Sequence, residues 1–226
     1  MMEVEQDMAT AVVPTINGVG QVVLQNVSWA FYEQALAELH DPASIRLTYS
    51  DGDLQIMSLG AKHETINRAM DFTIQQTGVL LRLPILATGS TTCKRNDLQK
   101  GFEPDSSFYI ARVDKVLGKE TIDLERDPPP DLVVEIDITN TSMDKLPIFA
   151  AVGVSEVWRY SKGKVTFYWL EDDRYVEAET SLMLPPLTAA FLTDIVAQAQ
   201  RAPTFEWLPK VAEWIAHSRG NSTGKA

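Results

Sequence analysis

The sequence predicts a mixed α/β fold, and three observations support this prediction. Apolar residues make up 45% of the 226-residue chain, which is enough for a proper core. Segments of alternating apolar and polar residues, typical of strands, are interspersed with segments of helical period. The length fits one large domain. We expect a mixed β-sheet flanked by helices, with a helix and a β-hairpin near the N-terminus.

Three regions are predicted along the chain. Residues 1–26 show no clear period and contain Pro14, Gly18 and Gly20, so we expect a mobile leader. Residues 27–200 carry the periodic segments and form the predicted domain. Residues 201–226 are expected to be a C-terminal helix and a flexible tail.

The first elements follow from local signals. Ser28 is a good N-cap for an amphipathic helix over 29–39. Residues 45–57 alternate on both sides of Asp51-Gly52, which predicts a hairpin. A helical pattern over 62–77 follows, and we expect Gly78 to end that helix.

The rest of the chain predicts further strands and three helices. Pro128–Pro130 should be a stiff segment that leads into a strand. A short helix is expected from Lys145 to Val152, ended by Gly153. The remaining predicted strands and helices are 84–88, 106–110, 131–139, 156–160, 164–170 and 174–178, and 188–200 and 205–217.

Charge and cysteine content exclude several classes of function. The chain has 20 Lys and Arg against 31 Asp and Glu, a net charge of −11, so any contact with nucleic acid must be local or metal-mediated. The single Cys93 cannot form an intramolecular disulfide, and one thiol with three histidines cannot build a zinc knuckle. No apolar run is long enough to span a bilayer, so we expect a cytoplasmic protein without a membrane partner.

The most informative segment is the predicted strand that contains Glu135 and Asp137. Alternation sends both carboxylates to one face, with α-carbons roughly 6.6 Å apart. Like charges in such an apolar strand are costly unless a cation lies beside them. The alternative is a solvated face with ordinary surface acids.

A second acid strengthens the case for a site. Asp105 follows Pro104 at the start of the next predicted strand upstream. An acid at a strand start and another inside a neighbouring strand can provide oxygen ligands for Mg²⁺ or Mn²⁺. The acidic middle of the chain could instead be only a soluble surface.

Two basic side chains complete the candidate set. Lys145 lies in the first turn of its helix, where the helix dipole disfavours a cation, so we expect nearby carboxylates to hold it. Helical spacing puts His63 on the inward face of its helix and Glu64 on the outward face. A histidine on an apolar face is more often a core residue than a ligand.

These residues together resemble a known family. The inward His63, Glu103-Pro104-Asp105, the segment from Asp131 to Glu135, and the run from Lys145 through Gly153 to Trp158 are similar to the Uma-type restriction endonuclease family, once a domain of unknown function. That family is placed in the PD-(D/E)XK nuclease superfamily. The resemblance covers about residues 27–200 and implies a restriction-endonuclease-like mixed sheet with a metal-dependent phosphodiesterase site.

The resemblance also implies roles for individual residues. Asp105 and Glu135 match the two acids of the motif and would hold Mg²⁺ or Mn²⁺ with the backbone carbonyl of Ile136. Asp137 stands where the motif has lysine; it would be a further metal ligand or would mark a site that has lost activity. Lys145 matches the lysine that the family carries on the following helix, and His63 matches a polar position on the first core helix.

Three functions follow as hypotheses. The first is a metal-dependent endonuclease that acts on nucleic acid, with DNA as the expected substrate, and forms a homodimer because two symmetric sites suit a cut across a duplex. The second is a catalytically inactive protein of this fold that serves as a binding or oligomerisation module. The third is a metal-dependent hydrolase of a small phosphoester.

Overall fold

The computed structural model describes residues 10–12, 20–39, 45–138 and 143–222. The helices of this part of the chain are α1 Trp29–Glu38, α2 Ala61–Leu81, α3 Val113–Val116, α4 Leu146–Val152, α5 Ala189–Ala199, α6 Thr204–Trp207 and α7 Pro209–Ser222. The strands are β1 Thr10–Val12, β2 Gln21–Leu24, β3 Ile45–Ser50, β4 Asp53–Ser58, β5 Leu86–Ala87, β6 Cys93–Arg95, β7 Lys100–Phe102, β8 Ser106–Tyr109, β9 Leu132–Asp137, β10 Glu156–Ser161, β11 Lys164–Glu171 and β12 Arg174–Ala178.

Two sheets form from these strands. The first has the order β1-β2-β4-β3-β7-β6, and all its pairs are antiparallel. The second has the order β12-β11-β10-β9-β8-β5 and is mixed, because β9 and β10 are parallel while its other pairs are antiparallel. The predicted mixed sheet flanked by helices is confirmed, and so is the early helix with its hairpin.

Strand β9 lies inside the second sheet and separates two layers of the core. Its Val134 and Ile136 face a cluster formed with α2, α5 and α7. Its Val133 faces the opposite way, into a cluster that contains Phe149 of α4 and Phe102 of the first sheet. The alternation predicted for this strand is therefore confirmed, and Glu135 and Asp137 lie on the α4 side, where Lys145 and Arg159 meet them.

The helix-ending role predicted for Gly78 is wrong. Helix α2 continues to Leu81, and Arg82 ends it in the left-handed region at φ 57°. Gly78 is instead required by packing, because a Cβ atom there would lie 2.4 Å from Ile85 Cδ1. The helix needs this glycine for the close approach of the chain that returns after its end.

The described residues include parts of the predicted leader and of the predicted C-terminal region. Gln21–Leu24, inside the predicted leader, is a strand paired with both β1 and β4. Residues 1–9 and 13–19 of that leader lie outside the described residues, as do residue 139 of a predicted strand and residues 223–226 of the predicted tail. Trp207, Val211 and Ile215 belong to the main core cluster, and α7 packs against α2 while α6 packs against α5 and α7.

Strands β1, β2, β6 and β7 were not predicted from the sequence. Each has three or four residues, too few for an alternating pattern to stand out. No helix among the described residues is long and apolar enough to cross a membrane.

Candidate active site

Asp105 is fixed at the start of β8 by the residues around it. The Glu103 carboxylate accepts hydrogen bonds from the Leu47 N–H (2.9 Å) and the Thr92 hydroxyl (3.0 Å), which ties this segment to the first sheet. Asp105 itself is buried, and its Oδ2 accepts the Ile136 N–H at 2.8 Å. The other oxygen, Oδ1, is buried and has no hydrogen-bond partner in the part of the chain that the structure describes.

Glu135 lies on β9, next to β8 in the sheet. Its side chain is 4% exposed, and its Oε1 accepts a hydrogen bond from the Lys145 ammonium group, which is 5% exposed. Within the described ranges, its Oε2 is buried without a hydrogen-bond partner. Asp105 and Glu135 therefore each present one unpartnered buried oxygen.

Lys145 is the N-cap residue of α4, directly before the helix begins at Leu146. The prediction that carboxylates hold this lysine is confirmed by its ion pair with Glu135. Gly153 ends the helix in the left-handed region at φ 87°, as predicted. The short helix thus places one buried cation against the sheet.

Helix α2 approaches Asp105 from the opposite side. His63 is buried, as predicted, and its Nε2 lies 3.1 Å from Asp105 Oδ2. Asn67, one helical turn on, donates to the Asp105 carbonyl oxygen (3.1 Å) and accepts from the Ser106 hydroxyl (3.0 Å). The side chain of Glu64 is 38% exposed, in keeping with its predicted outward position, although its Oε1 is buried and lies 3.8 Å from His63 Nδ1.

Asp137 has a partner that sequence reasoning missed. Its Oδ2 binds Arg159 Nε at 2.5 Å. Arg159 lies on β10, where the parallel register places it opposite Glu135. The site therefore contains two neighbouring ion pairs, Glu135 with Lys145 and Asp137 with Arg159.

The buried, closely spaced acids raise the pKa values of three side chains in the site. Burial raises the pKa of Glu135 to about 7, because the loss of hydration outweighs the attraction of Lys145. Burial opposes the charge on Lys145, yet Glu135 and Asp105 outweigh it and raise the lysine pKa. Burial also opposes the charge on His63, but the adjacent Asp105 carboxylate raises its pKa overall.

The donor set suits a hard divalent cation. The two unpartnered oxygens are carboxylate oxygens, which Mg²⁺ and Mn²⁺ prefer. Among the described residues, no three His, Cys, Asp or Glu side chains converge as a group that could hold a metal. Two carboxylates still fit Mg²⁺, since it keeps several water ligands and is commonly held by one or two carboxylates and substrate phosphates.

Comparison with known proteins places the chain in a family. A family model named Uma2 and described as "Putative restriction endonuclease" matches residues 29–200. The chain belongs to the Uma2 family. The predicted family resemblance is thereby confirmed, and the Uma2 match includes α2, β8, β9 and α4, the elements that carry the candidate residues.

One solved structure similar to this Uma2 chain is described as "a putative nuclease belonging to DUF820" from Anabaena variabilis. It has 16% sequence identity and a TM-score of 0.48, and the match covers 66% of this chain and 90% of that chain. No curated protein shows significant similarity to the chain.

Proposed function

We propose that this protein is a divalent-metal-dependent endonuclease that hydrolyses phosphodiester bonds in nucleic acid, with DNA as the expected substrate. Membership in the Uma2 family supports the nuclease class. The chemistry of the candidate site supports the dependence on Mg²⁺ or Mn²⁺. The expected location is the cytoplasm.

One observation carries the proposal. Asp105 Oδ1, just before β8, and Glu135 Oε2, on the adjacent β9, are buried polar atoms, and neither has a hydrogen-bond partner among the described residues. A buried carboxylate oxygen without a partner is energetically costly. A bound cation would offset this cost at both oxygens, which explains why the fold retains them.

Each residue then has a chemical task. A metal held by Asp105, Glu135 and the Ile136 carbonyl would polarise a phosphoryl oxygen and lower the pKa of a bound water. Lys145 stabilises negative charge that develops on the phosphate, or orients the attacking water. His63 serves as an accessory contact that holds the Asp105 carboxylate in place.

Asp137 remains a proposed further ligand. Because Arg159 binds its Oδ2, the proposal gives Asp137 this role only through its other oxygen. An Asp137→Asn variant tests whether Asp137 is a metal ligand or only the ion-pair partner of Arg159. We expect weaker metal binding if the carboxylate is a ligand.

Calorimetric titration with Mn²⁺ and Mg²⁺ tests the site without a guess about substrate. Wild type and the exposed-acid control Asp114→Asn should bind the metal, whereas Asp105→Asn and Glu135→Gln should lose binding. With Mn²⁺, wild type and Asp114→Asn should cleave supercoiled plasmid, whereas Asp105→Asn and Glu135→Gln should not. Equal metal binding by all four proteins would contradict the proposal.

A non-catalytic binding or oligomerisation module is the second candidate. The ion pair between Asp137 and Arg159 favours it, because an acid held by an arginine stands where the nuclease motif has lysine. This function predicts a folded wild-type protein without metal-dependent cleavage. The proposed homodimer is tested separately by sedimentation velocity.

A further inference from the structure

A polar groove leads to Asp105 on the α2 side of the site. Its cavity volume is about 470 Å³, and its wall includes Asp105 and Asn67 together with Arg46 from β3 and Arg68 from α2. Glu64 lines it as well. The groove therefore connects the candidate metal ligand with cationic side chains from two different elements.

The two arginines differ in how they are held. Arg46 is 9% exposed, and its Nη1 donates to the Ile45 carbonyl oxygen at 2.8 Å, so its guanidinium is pre-positioned at the groove. Arg68 has a side chain that is 62% exposed. Together they place one ordered cation inside the groove and one adaptable cation at its edge.

Arg68 is only loosely held by its acidic neighbours. Its guanidinium lies 3.8 Å from Glu64 and 4.0 Å from Asp71, both beyond hydrogen-bond distance. By contrast, Arg112 binds Asp131 at 2.6 Å. An exposed ion pair with this geometry contributes little, so Arg68 can exchange its acids for a phosphate at small cost.

Because the chain carries a net negative charge, binding of nucleic acid requires a local cluster of positively charged side chains. At −11 the protein repels a polyanion on average, and binding must depend on a few well-placed cations. Arginine suits this task because its planar guanidinium can bind a phosphate through two hydrogen bonds.

We propose that this groove binds the sugar–phosphate backbone of the nucleic acid beside the scissile bond, with Arg46 and Arg68 as phosphate contacts. The inference rests on the proposed nuclease function and names the contacts that guide substrate to Asp105. Both arginines are positioning residues, since neither is placed at the reacting atoms.

Binding in EDTA tests the groove without cleavage. Fluorescence anisotropy is measured with a fluorescein-labelled 20-base-pair DNA duplex and with single-stranded DNA and RNA of the same sequence, over a series of salt concentrations. Arg46→Gln and Arg68→Gln should each weaken binding about tenfold at low salt. Each should also reduce the slope of log affinity against log salt by about 1.

Arg126→Gln is the matched control. It removes the same charge from an exposed arginine, 85% exposed, that does not line the groove. Arg46→Lys keeps the charge at the more buried position, so it should retain part of the affinity. It replaces Arg46→Gln in the comparison if that variant does not fold. Circular dichroism and thermal melting establish that each variant is folded.

The outcomes separate this inference from the proposed function. If Arg46→Gln and Arg68→Gln bind nucleic acid as tightly as Arg126→Gln, the proposal that the groove binds the backbone is wrong. It is also wrong if the wild type binds neither the DNA duplex nor the single-stranded DNA or RNA. If those variants also cleave plasmid DNA like the wild type, the nuclease function stands without the groove. A wild type that neither binds Mn²⁺ nor cleaves overturns the nuclease function itself.

Discussion

Glu135 and Lys145 bring opposite charges together in a buried environment, and this pair dominates the chemistry of the site. Separating either charge from its partner there would leave an uncompensated ion, which is strongly destabilising. The lysine ammonium occupies one carboxylate oxygen and leaves Oε2 without a hydrogen-bond partner. The pair thus neutralises Glu135 while keeping one oxygen available for a ligand.

A Lys145→Met variant separates metal binding from catalysis. Because Glu135 loses its buried partner, the variant should be less stable, and circular dichroism must first show that it is folded. Metal affinity of the folded variant at pH 8.5 should be retained, because the carboxylates remain and a competing cation is gone. Cleavage should fall at least about a hundredfold with the loss of charge stabilisation. Calorimetry and plasmid cleavage measure the two effects, with exposed Lys115→Met as control. Parallel loss of metal binding would show that Lys145 only organises the site.

Metal binding should depend on pH through Glu135. Since burial raises the pKa of Glu135 to about 7, a metal must displace a proton from it below that pH. Affinity should therefore rise about tenfold per pH unit up to about pH 7 and level off above it. Calorimetry in buffers of different ionisation enthalpy should detect about one proton released at pH 6 and little at pH 8. An affinity independent of pH from 6 to 8 would contradict this.

Cys93 should be chemically inert in the folded protein. Burial, with Glu103 adding to it, raises the pKa of the thiol to about 12. At pH 8 the reactive thiolate is then about one part in ten thousand. Iodoacetamide should leave native protein unmodified by mass spectrometry and should alkylate it fully in urea, with Cys93→Ser as the blank. Rapid alkylation of native protein would show that the thiol is accessible.

At the scale of elements, the longer periodic patterns predicted strands and helices, whereas four strands of three or four residues were missed. The alternation in Leu132–Asp137 predicted which face holds the carboxylates. Short strands such as Cys93–Arg95 carry too few residues for a period to be recognised. Gly78 shows a further limit, since its reason lies in a contact with Ile85 that no local pattern encodes.

Gly78→Ala should destabilise the protein although alanine is the better helix former. The added methyl group would meet Ile85 Cδ1 at 2.4 Å, and overpacking of this kind costs about 1–3 kcal/mol, against a helix gain of about 1 kcal/mol. Urea unfolding measures the change in free energy. Adding Ile85→Val should recover part of the loss in a double-mutant cycle. A more stable Gly78→Ala protein would show that Ile85 moves aside freely.

At the scale of the whole molecule, the candidate site forms where α2, β8, β9 and α4 meet. Asp105, Glu135 and Lys145 could be selected from the sequence, since acids in apolar strands and a lysine in a first turn are locally unfavourable. Arg159 could not, because its position opposite Glu135 depends on the parallel pairing of β9 with β10. The groove arginines were missed for the same reason: Arg46 and Arg68 come from separate elements.

Anomalous X-ray diffraction from crystals soaked in Mn²⁺ tests the central claim most directly. We predict a Mn²⁺ peak in contact with Asp105 and Glu135 through the oxygens that have no hydrogen-bond partner here. The peak should be absent from crystals of Asp105→Asn that retain the same fold. A folded wild type with no peak at these two carboxylates, or with Mn²⁺ bound only elsewhere, would contradict the account.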